Sequence, residues 1–206
     1  MSEFSTSNVT AVLLAAGLGT RLGLGPKALL PFRSRTLVEV LAEVLLDGGC
    51  REVVVVLGAE AGQVLASTGL GRAEQRLVRV VVNPEWNSGM AGSFLLGVEN
   101  ALPGDHVLVA LVDQPGLTAD VVRTLLAAHL PGRVTAAGYR AASGKLRRGH
   151  PLLLDASLRT LATDSAAGDS GARLFLQANP ELVDLVDCGY EGGEDIDTRD
   201  QLHLLD

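Results

Sequence analysis

The stretch from Val9 to Lys27, VTAVLLAAGLGTRLGLGPK, decides the fold. Val9, Val12, Leu13 and Leu14, with alanines between them, form a short uninterrupted apolar run, the pattern of a strand buried on both faces of a parallel sheet. The run breaks into a loop where Gly17, Gly19, Gly23 and Gly25 let the backbone turn and bring its N–H groups close to an anion. Arg21 and Lys27 add two cations, and the whole reads as a grip for a nucleoside triphosphate. It is not a Walker loop, because Lys27 follows Pro26 and precedes Ala28, with no hydroxyl placed for magnesium. Nor is it a dinucleotide fingerprint, since the glycines run G-x-G-x-x-x-G rather than G-x-G-x-x-G. The same glycines also suit a plain strand-to-helix connection.

Outward from this loop, strands and helices alternate. Ala28–Phe32 reads as a return to the sheet edge. Thr36 and Glu39 make a capping box for a helix with an apolar stripe at Leu37, Val40, Leu41, Val44 and Leu45, stopped by Gly48 and Gly49. Glu52–Leu57 and Leu77–Val82 are the next strands, with a short helix near 59–66 between them; Asn83-Pro84 ends the second. His106–Val112 is a fourth strand, Thr118 caps a helix bearing Val122, Leu125 and Leu126, and Arg133–Gly138 is a fifth strand. Asp155–Leu161 and a segment ending near Asn179 read as helices, Leu182–Cys188 as a strand, and Thr198 with Gln201 as a capping box for a last short helix. This alternation predicts a three-layer α/β/α domain with a mixed, mostly parallel, Rossmann-like sheet over 9–206, after a flexible N-terminus at 1–8.

Five further segments bear on chemistry. Between Asn83 and Ser93 a loop meets a helix N-terminus, where the free amides near Gly89, Met90 and Ser93 suit a base carbonyl or a phosphate; a capped helix anchored by Trp86 explains the residues equally. Asp113 stands at the C-terminal end of a strand, where ligands bind in open α/β sheets. A carboxylate there, beside a triphosphate, can bind Mg²⁺, although Asp-x-Pro is also good turn chemistry. Arg140, Lys145, Arg147 and Arg148 precede His150-Pro151 and fit a solvated hairpin tip as well as an anion site. Asp169 or Ser170 suits a helix N-cap, with Arg173 following. Asp195 and Asp197 suit a turn and the positive end of a helix dipole.

Composition narrows the class. With 47% hydrophobic but 3% aromatic residues, the core is built of Ala, Val and Leu, as in layered α/β proteins. The 24 acidic against 17 basic residues, a net charge of −7, speak against general nucleic-acid binding, so an anionic substrate must meet a local positive patch. Cys50 and Cys188 form no C-x-x-C pair and point to neither a zinc site nor a disulfide framework. The polar start MSEFSTSN and the short apolar run after it resemble neither a signal peptide nor a membrane span, so a cytoplasmic protein is expected.

LAAG-x-G-x-R-x-G followed by Pro-Lys resembles the signature of the nucleotidylyltransferases, in particular the MobA-like NTP transferases that activate the molybdenum cofactor. N-x-x-W-x-x-G-M, Asp-Gln-Pro at 113–115, Gly-His-Pro at 149–151, G-D-x-G-x-R at 168–173 and Asp-Ile-Asp-Thr at 195–198 follow in the family's order. The resemblance implies the nucleotide-diphospho-sugar transferase fold and a nucleotide held by Leu14, Ala15, Ala16, Gly17, Gly19, Gly89, Met90 and Ser93. It further implies Arg21 and Lys27 on the triphosphate, and Mg²⁺ on Asp113 and Asp197, with Asp195 as the alternative ligand. His150 and Asp169 are implied to border the acceptor. LAAG in place of LAGG points to CTP and to molybdopterin as acceptor, with a molybdenum hydroxylase receiving the product. The long GLGTRLGLGP loop instead resembles enzymes that use sugar or polyol phosphates. A nucleotide-sensing module would not need the second carboxylate, and a nicotinamide-dependent oxidoreductase lacks its fingerprint.

Overall fold

A computed structural model describes residues 8–72, 77–141, 143–189 and 193–206; all but the last residue of the expected flexible N-terminus lies outside them. Strand β1 (Val9–Ala15) is buried along its whole length. The chain then forms the glycine loop and a two-residue ribbon, β2 (Pro31–Phe32) with β3 (Arg35–Thr36). This ribbon is separate from the main sheet, not its edge as the sequence led us to expect, because Arg33 and Ser34 both turn with positive φ and fold Phe32 back onto Arg35. Helix α1 (Leu37–Asp47) follows with the expected Thr36/Glu39 capping box, then β4 (Glu52–Leu57), α2 (Ala61–Ser67) and β5 (Val78–Val82). Next come α3 (Met90–Asn100), β6 (His106–Leu111), α4 (Ala119–Ala128), β7 (Val134–Arg140) and β8 (Leu146–Leu154). The chain closes with α5 (Arg159–Asp164), α6 (Arg173–Ala178), β9 (Val183–Asp187) and a 3-10 turn at Arg199–Leu205.

The seven-stranded sheet has the order β5-β4-β1-β6-β8-β7-β9, and β8 alone runs antiparallel to its neighbours. Its two faces feed two cores. Ala11, Leu13, Val53, Val55 and Leu57 pack with α1 on one side, while Val12, Leu14, Val54 and Val56 pack with Phe94 and Val98 of α3 on the other. This period-two division is the three-layer arrangement expected from unbroken apolar strands. Among the described residues no helix is long and apolar enough to cross a membrane.

Strand β8 is the element sequence patterning missed. Its first six residues, Leu-Arg-Arg-Gly-His-Pro, are charged and broken by Gly149 and Pro151, and only Leu152–Leu154 carry a buried apolar run. That run pairs with Val107–Val109 of β6 on one side and with β7 on the other. Above it β8 keeps β7, across an irregularity between Ala136 and Gly138, and has no further pairing with β6. The parting of β6 and β8 opens a crevice at the C-terminal end of β6, where Asp113 stands.

Helix α3 reaches the sheet through Gly97, whose added Cβ would lie 2.3 Å from Val12 Cγ1 and 3.1 Å from Val56 Cγ2. Gly97→Ala is therefore expected to destabilise by roughly 1–3 kcal/mol, as overpacking does. A lowered urea midpoint at unchanged slope checks this; an unchanged midpoint would show that helix and sheet part freely.

Candidate functional site

The glycine loop leaves β1 and folds over its own end. Leu22 N–H donates to Gly19 O at 3.0 Å, and buried Leu22 pins the loop to the core. Gly19 has φ +66°, and a Cβ there would lie 2.9 Å from Gly25 O and 3.1 Å from Lys27 Cγ, so only glycine lets the loop close against Lys27. At Gly17 a Cβ would meet nothing within 4 Å, which leaves its backbone open to a ligand.

Lys27 is the centre of the site. Its Nζ donates to Asp113 Oδ2 at 2.9 Å and to Asp197 Oδ1 at 2.7 Å, and its side chain is 13% exposed. Burial alone would lower the Lys27 pKa, but the charge of Asp113 and the hydrogen bonds to both carboxylates outweigh it and raise the pKa above 10.5. Arg21 stands outside, its Nη1 3.7 Å from Asp197 Oδ2, with a mostly exposed side chain. The hydrogen bond from Lys27 holds the Asp197 carboxyl below its ordinary pKa against partial burial, and the Lys27 and Arg21 charges add to it.

Asp113 and Asp197 meet because backbone brings them together. Val112 N–H donates to Leu14 O at 3.0 Å, fixing the end of β6 beside β1. Ile196 N–H donates to Asp113 O at 2.8 Å, and the fully buried Ile196 side chain anchors the C-terminal segment. Asp195 is engaged elsewhere, accepting from Gln114 Nε2 at 2.7 Å. Burial and then the charges of Asp113 and Asp197 raise its pKa, against the Gln114 bond. The other oxygen of Asp113, Oδ1, is buried with no hydrogen-bond partner. An orphaned carboxylate oxygen beside a second carboxylate is the donor set a divalent cation takes along with phosphate oxygens and water.

A cleft of about 500 Å³ opens in front of this cluster. Leu14, Ala16, Gly17, Gly19, Arg21 and Lys27 form one wall, and Asp113 and Asp197 the floor. Gly89, Met90 and Ser93, with Trp86 and Asn87, form the facing wall at the start of α3. Ala15 faces the core and does not line the cleft. Ser93 lines it, but its Oγ accepts from Asn83 Nδ2 at 3.0 Å, so its hydroxyl has a structural partner. Asn83 Oδ1 in turn accepts from Glu85 N–H at 3.0 Å and shapes the loop ahead of α3. Trp86 packs so closely that a Cβ on Gly58 would lie 2.4 Å from Trp86 Cβ.

A second cleft of about 190 Å³ shares Leu14 and Met90 with the first and follows the crevice between β6 and β8. His150 lies there with Arg148, Arg173 and Ser170 above the apolar Phe94, Val109 and Leu152. Burial lowers the His150 pKa to about 4, so the ring is neutral at pH 7, and its main-chain oxygen accepts from Tyr139 Oη at 2.8 Å. The backbone of Asp169 is the middle of the 3-10 turn Gly168–Ser170; its side chain lies outside the described parts of the structure. Of the basic segment, Arg148 lines this cleft while Arg140 pairs with Asp187. Gln114, which sorts the two C-terminal aspartates, was missed by sequence reasoning, which took 113–115 only as an Asp-x-Pro edge.

Comparison with known proteins places these clefts in context. Residues 11–183 match the MobA-like NTP transferase domain. The chain is 54% identical over 208 aligned positions to nicotine blue oxidoreductase of Paenarthrobacter nicotinovorans, with 100% of each chain covered. Among solved structures it is similar to Rv0371c from Mycobacterium tuberculosis H37Rv, with TM-score 0.79, 25% identity and 97% of each chain covered. It is also similar to a nucleotidyl transferase from Methanothermobacter, with TM-score 0.74, 26% identity, and 96% and 95% of the two chains covered.

Proposed function

Since this chain belongs to the MobA-like NTP transferase family of nucleotidyltransferases, we propose that it transfers CMP from CTP to a phosphate-bearing acceptor of the molybdopterin class. The product would pass to a molybdenum hydroxylase. The observation that carries this reading is the Lys27 ammonium held between Asp113 and Asp197 at the mouth of the glycine loop. A phosphate oxygen of the acceptor attacks the α-phosphorus, the new O–P bond forms as the α–β bridge breaks, and pyrophosphate leaves with the electron pair. No protein nucleophile is needed, and a phosphate monoester already ionised near neutral pH needs no general base. Lys27 and Arg21 neutralise the triphosphate, and the open backbone at Gly17 lets the nucleotide approach. Asp113 and Asp197 would hold Mg²⁺, which when bound supplies further charge neutralisation at the phosphates. With Asp195 taken up by Gln114, Asp197 is the better second ligand.

In the second cleft Arg148 and Arg173 are the groups suited to the acceptor phosphate, and neutral His150 can only hydrogen-bond. Arg173→Ala is expected to raise KM for the acceptor about tenfold with KM for the nucleotide unchanged; equal changes in both would remove the acceptor from this cleft.

A second reading is favoured by the 54% identity, over all of both chains, to a protein named an oxidoreductase. The loop still lacks the dinucleotide fingerprint, but Arg21 and Lys27 suit any pyrophosphate, and the apolar floor of the second cleft suits a flat conjugated molecule. In this reading a reduced nicotinamide nucleotide gives a hydride to such an acceptor, which also takes a proton from water. Initial rates decide between the two: pyrophosphate release from CTP, GTP and ATP against molybdopterin and sugar or polyol phosphates, set beside nicotinamide oxidation by nicotine blue. Release with CTP and molybdopterin supports the first reading. Release only with another acceptor keeps the class and changes the acceptor, and nicotinamide oxidation alone replaces the reading.

A further inference from the structure

At the end of the sheet away from the nucleotide cleft, three segments converge on one point. His106 opens β6 opposite Val9 of β1, His129 follows the last turn of α4, and Asp155 follows β8. One ligand atom from each of the three lies within 4.8 Å of the others, and the two rings stand edge to face with centroids 4.7 Å apart. Asp155 Oδ1 is committed, accepting from Ser157 N–H at 2.9 Å and Ser157 Oγ at 2.6 Å. Gly132 N–H also bonds to this carboxylate, and Oδ2 faces both imidazoles, 3.3 Å from His106 Nδ1 and 3.5 Å from His129 Nε2.

The His129 side chain is 8% exposed, yet its Nε2 has no hydrogen-bond partner. Its other nitrogen, Nδ1, is 2.9 Å from the buried Thr135 Oγ1, a partner that can accept Nδ1–H and leave the Nε2 lone pair aimed into the cluster. His106 Nδ1 accepts from Ala156 N–H at 3.0 Å, so its lone pair is engaged there at the edge of the cluster. In that tautomer the His129 Nε2 lone pair faces Asp155 Oδ2 at 3.5 Å, with His106 Nδ1 3.3 Å from the same oxygen. Atoms each about 2.0–2.1 Å from a tetrahedral Zn²⁺ lie about 3.4 Å apart, close to the two separations of Asp155 Oδ2 from the histidine nitrogens, and all three atoms lie within 4.8 Å of one another. A buried imidazole fixed by a hydrogen bond at its other nitrogen is also how proteins orient metal-ligating histidines.

We propose that His106, His129 and Asp155 form a Zn²⁺ site that joins β6, the end of α4 and the end of β8. Two nitrogens and one oxygen suit a borderline transition-metal ion, whereas Mg²⁺ asks for oxygens in octahedral array. His106, with 31% of its side chain exposed, leaves a solvent route for water as fourth ligand. Ala156 N–H gives up its bond to His106 when the ion takes that lone pair. The site is separate from Asp113 and Asp197, so the two can be tested independently.

The test is Zn²⁺ titration of chelator-stripped full-length protein against a chromophoric competitor at pH 7. One equivalent is expected in the wild type, in His203→Gln and in Asp113→Asn, with affinity weakened more than about tenfold in His129→Gln and Asp155→Asn. Melting in the presence of chelator establishes that the variants fold; if His129→Gln does not, His106→Asn, at the more exposed ring, carries the same expectation. Absence of a stoichiometric site in the wild type overturns the proposal. So does a site lost in Asp113→Asn but kept when the histidines are replaced.

Discussion

Asp113→Asn is expected to lower kcat/KM for nucleotidyl transfer by about a thousandfold or more while the protein stays folded. The side chain keeps its shape, and the backbone oxygen that receives Ile196 N–H is untouched, so the C-terminal segment stays docked. What is lost is the charge of a carboxylate whose Oδ1 is buried without a partner and whose Oδ2 anchors Lys27. Loss of metal-borne charge stabilisation is worth several kcal/mol, and about 1.4 kcal/mol is tenfold in rate. Raising the Mg²⁺ concentration is expected to restore part of the rate, since Asp197 remains. Circular dichroism matching the wild type together with retained turnover would remove Asp113 from the metal and the reaction.

The second large effect is expected at Lys27. Lys27→Met removes the cation that separates Asp113 from Asp197 and leaves Arg21, 3.7 Å from Asp197 and largely in solvent, as the remaining cation on the pair. A fall in kcat/KM of about a hundredfold to a thousandfold is expected, carried more by kcat than by KM, because the charge is needed most as pyrophosphate departs. Lys27→Arg is not expected to rescue it in full, since the longer, planar guanidinium does not place its charge at the point the ammonium occupies between the two carboxylates. Because the folded pKa of Lys27 is raised, its contribution to stability is present in full below 10.5 and is lost only as pH climbs through the raised value. A difference in stability between wild type and Lys27→Met should therefore hold through neutral pH and shrink in strong alkali. A difference that vanishes near pH 7 would contradict the assigned ion pairs.

Much of this arrangement is legible from local pattern. Val9–Ala15 and Glu52–Leu57 are unbroken apolar runs because both faces are covered, and Thr36 with Glu39 announces α1 through hydrogen bonds made within four residues. The glycine loop and Asp113 are legible because loop chemistry and strand ends carry ligands in this class of fold. Strand β8 is not, since its outer half lies beside a cleft and needs arginines and histidine where patterning looks for alternating apolar residues. Asp195 and Asp197 look alike in the sequence. They are distinguished by Gln114, which takes one, and by Lys27, which takes the other, and both partners come from distant parts of the chain. His106, His129 and Asp155 are invisible for the same reason: their proximity is created by sheet order and not by spacing.

In the proposed reaction the α-phosphorus of a nucleoside triphosphate changes partners in the cleft beside Lys27. The most direct measurement follows CTP labelled separately at the α- and γ-phosphorus, with molybdopterin and Mg²⁺ present. The expected result is α-label in a dinucleotide product and γ-label in pyrophosphate, both lost in Asp113→Asn. CTP left intact in an enzyme that oxidises reduced nicotinamide with nicotine blue would contradict it.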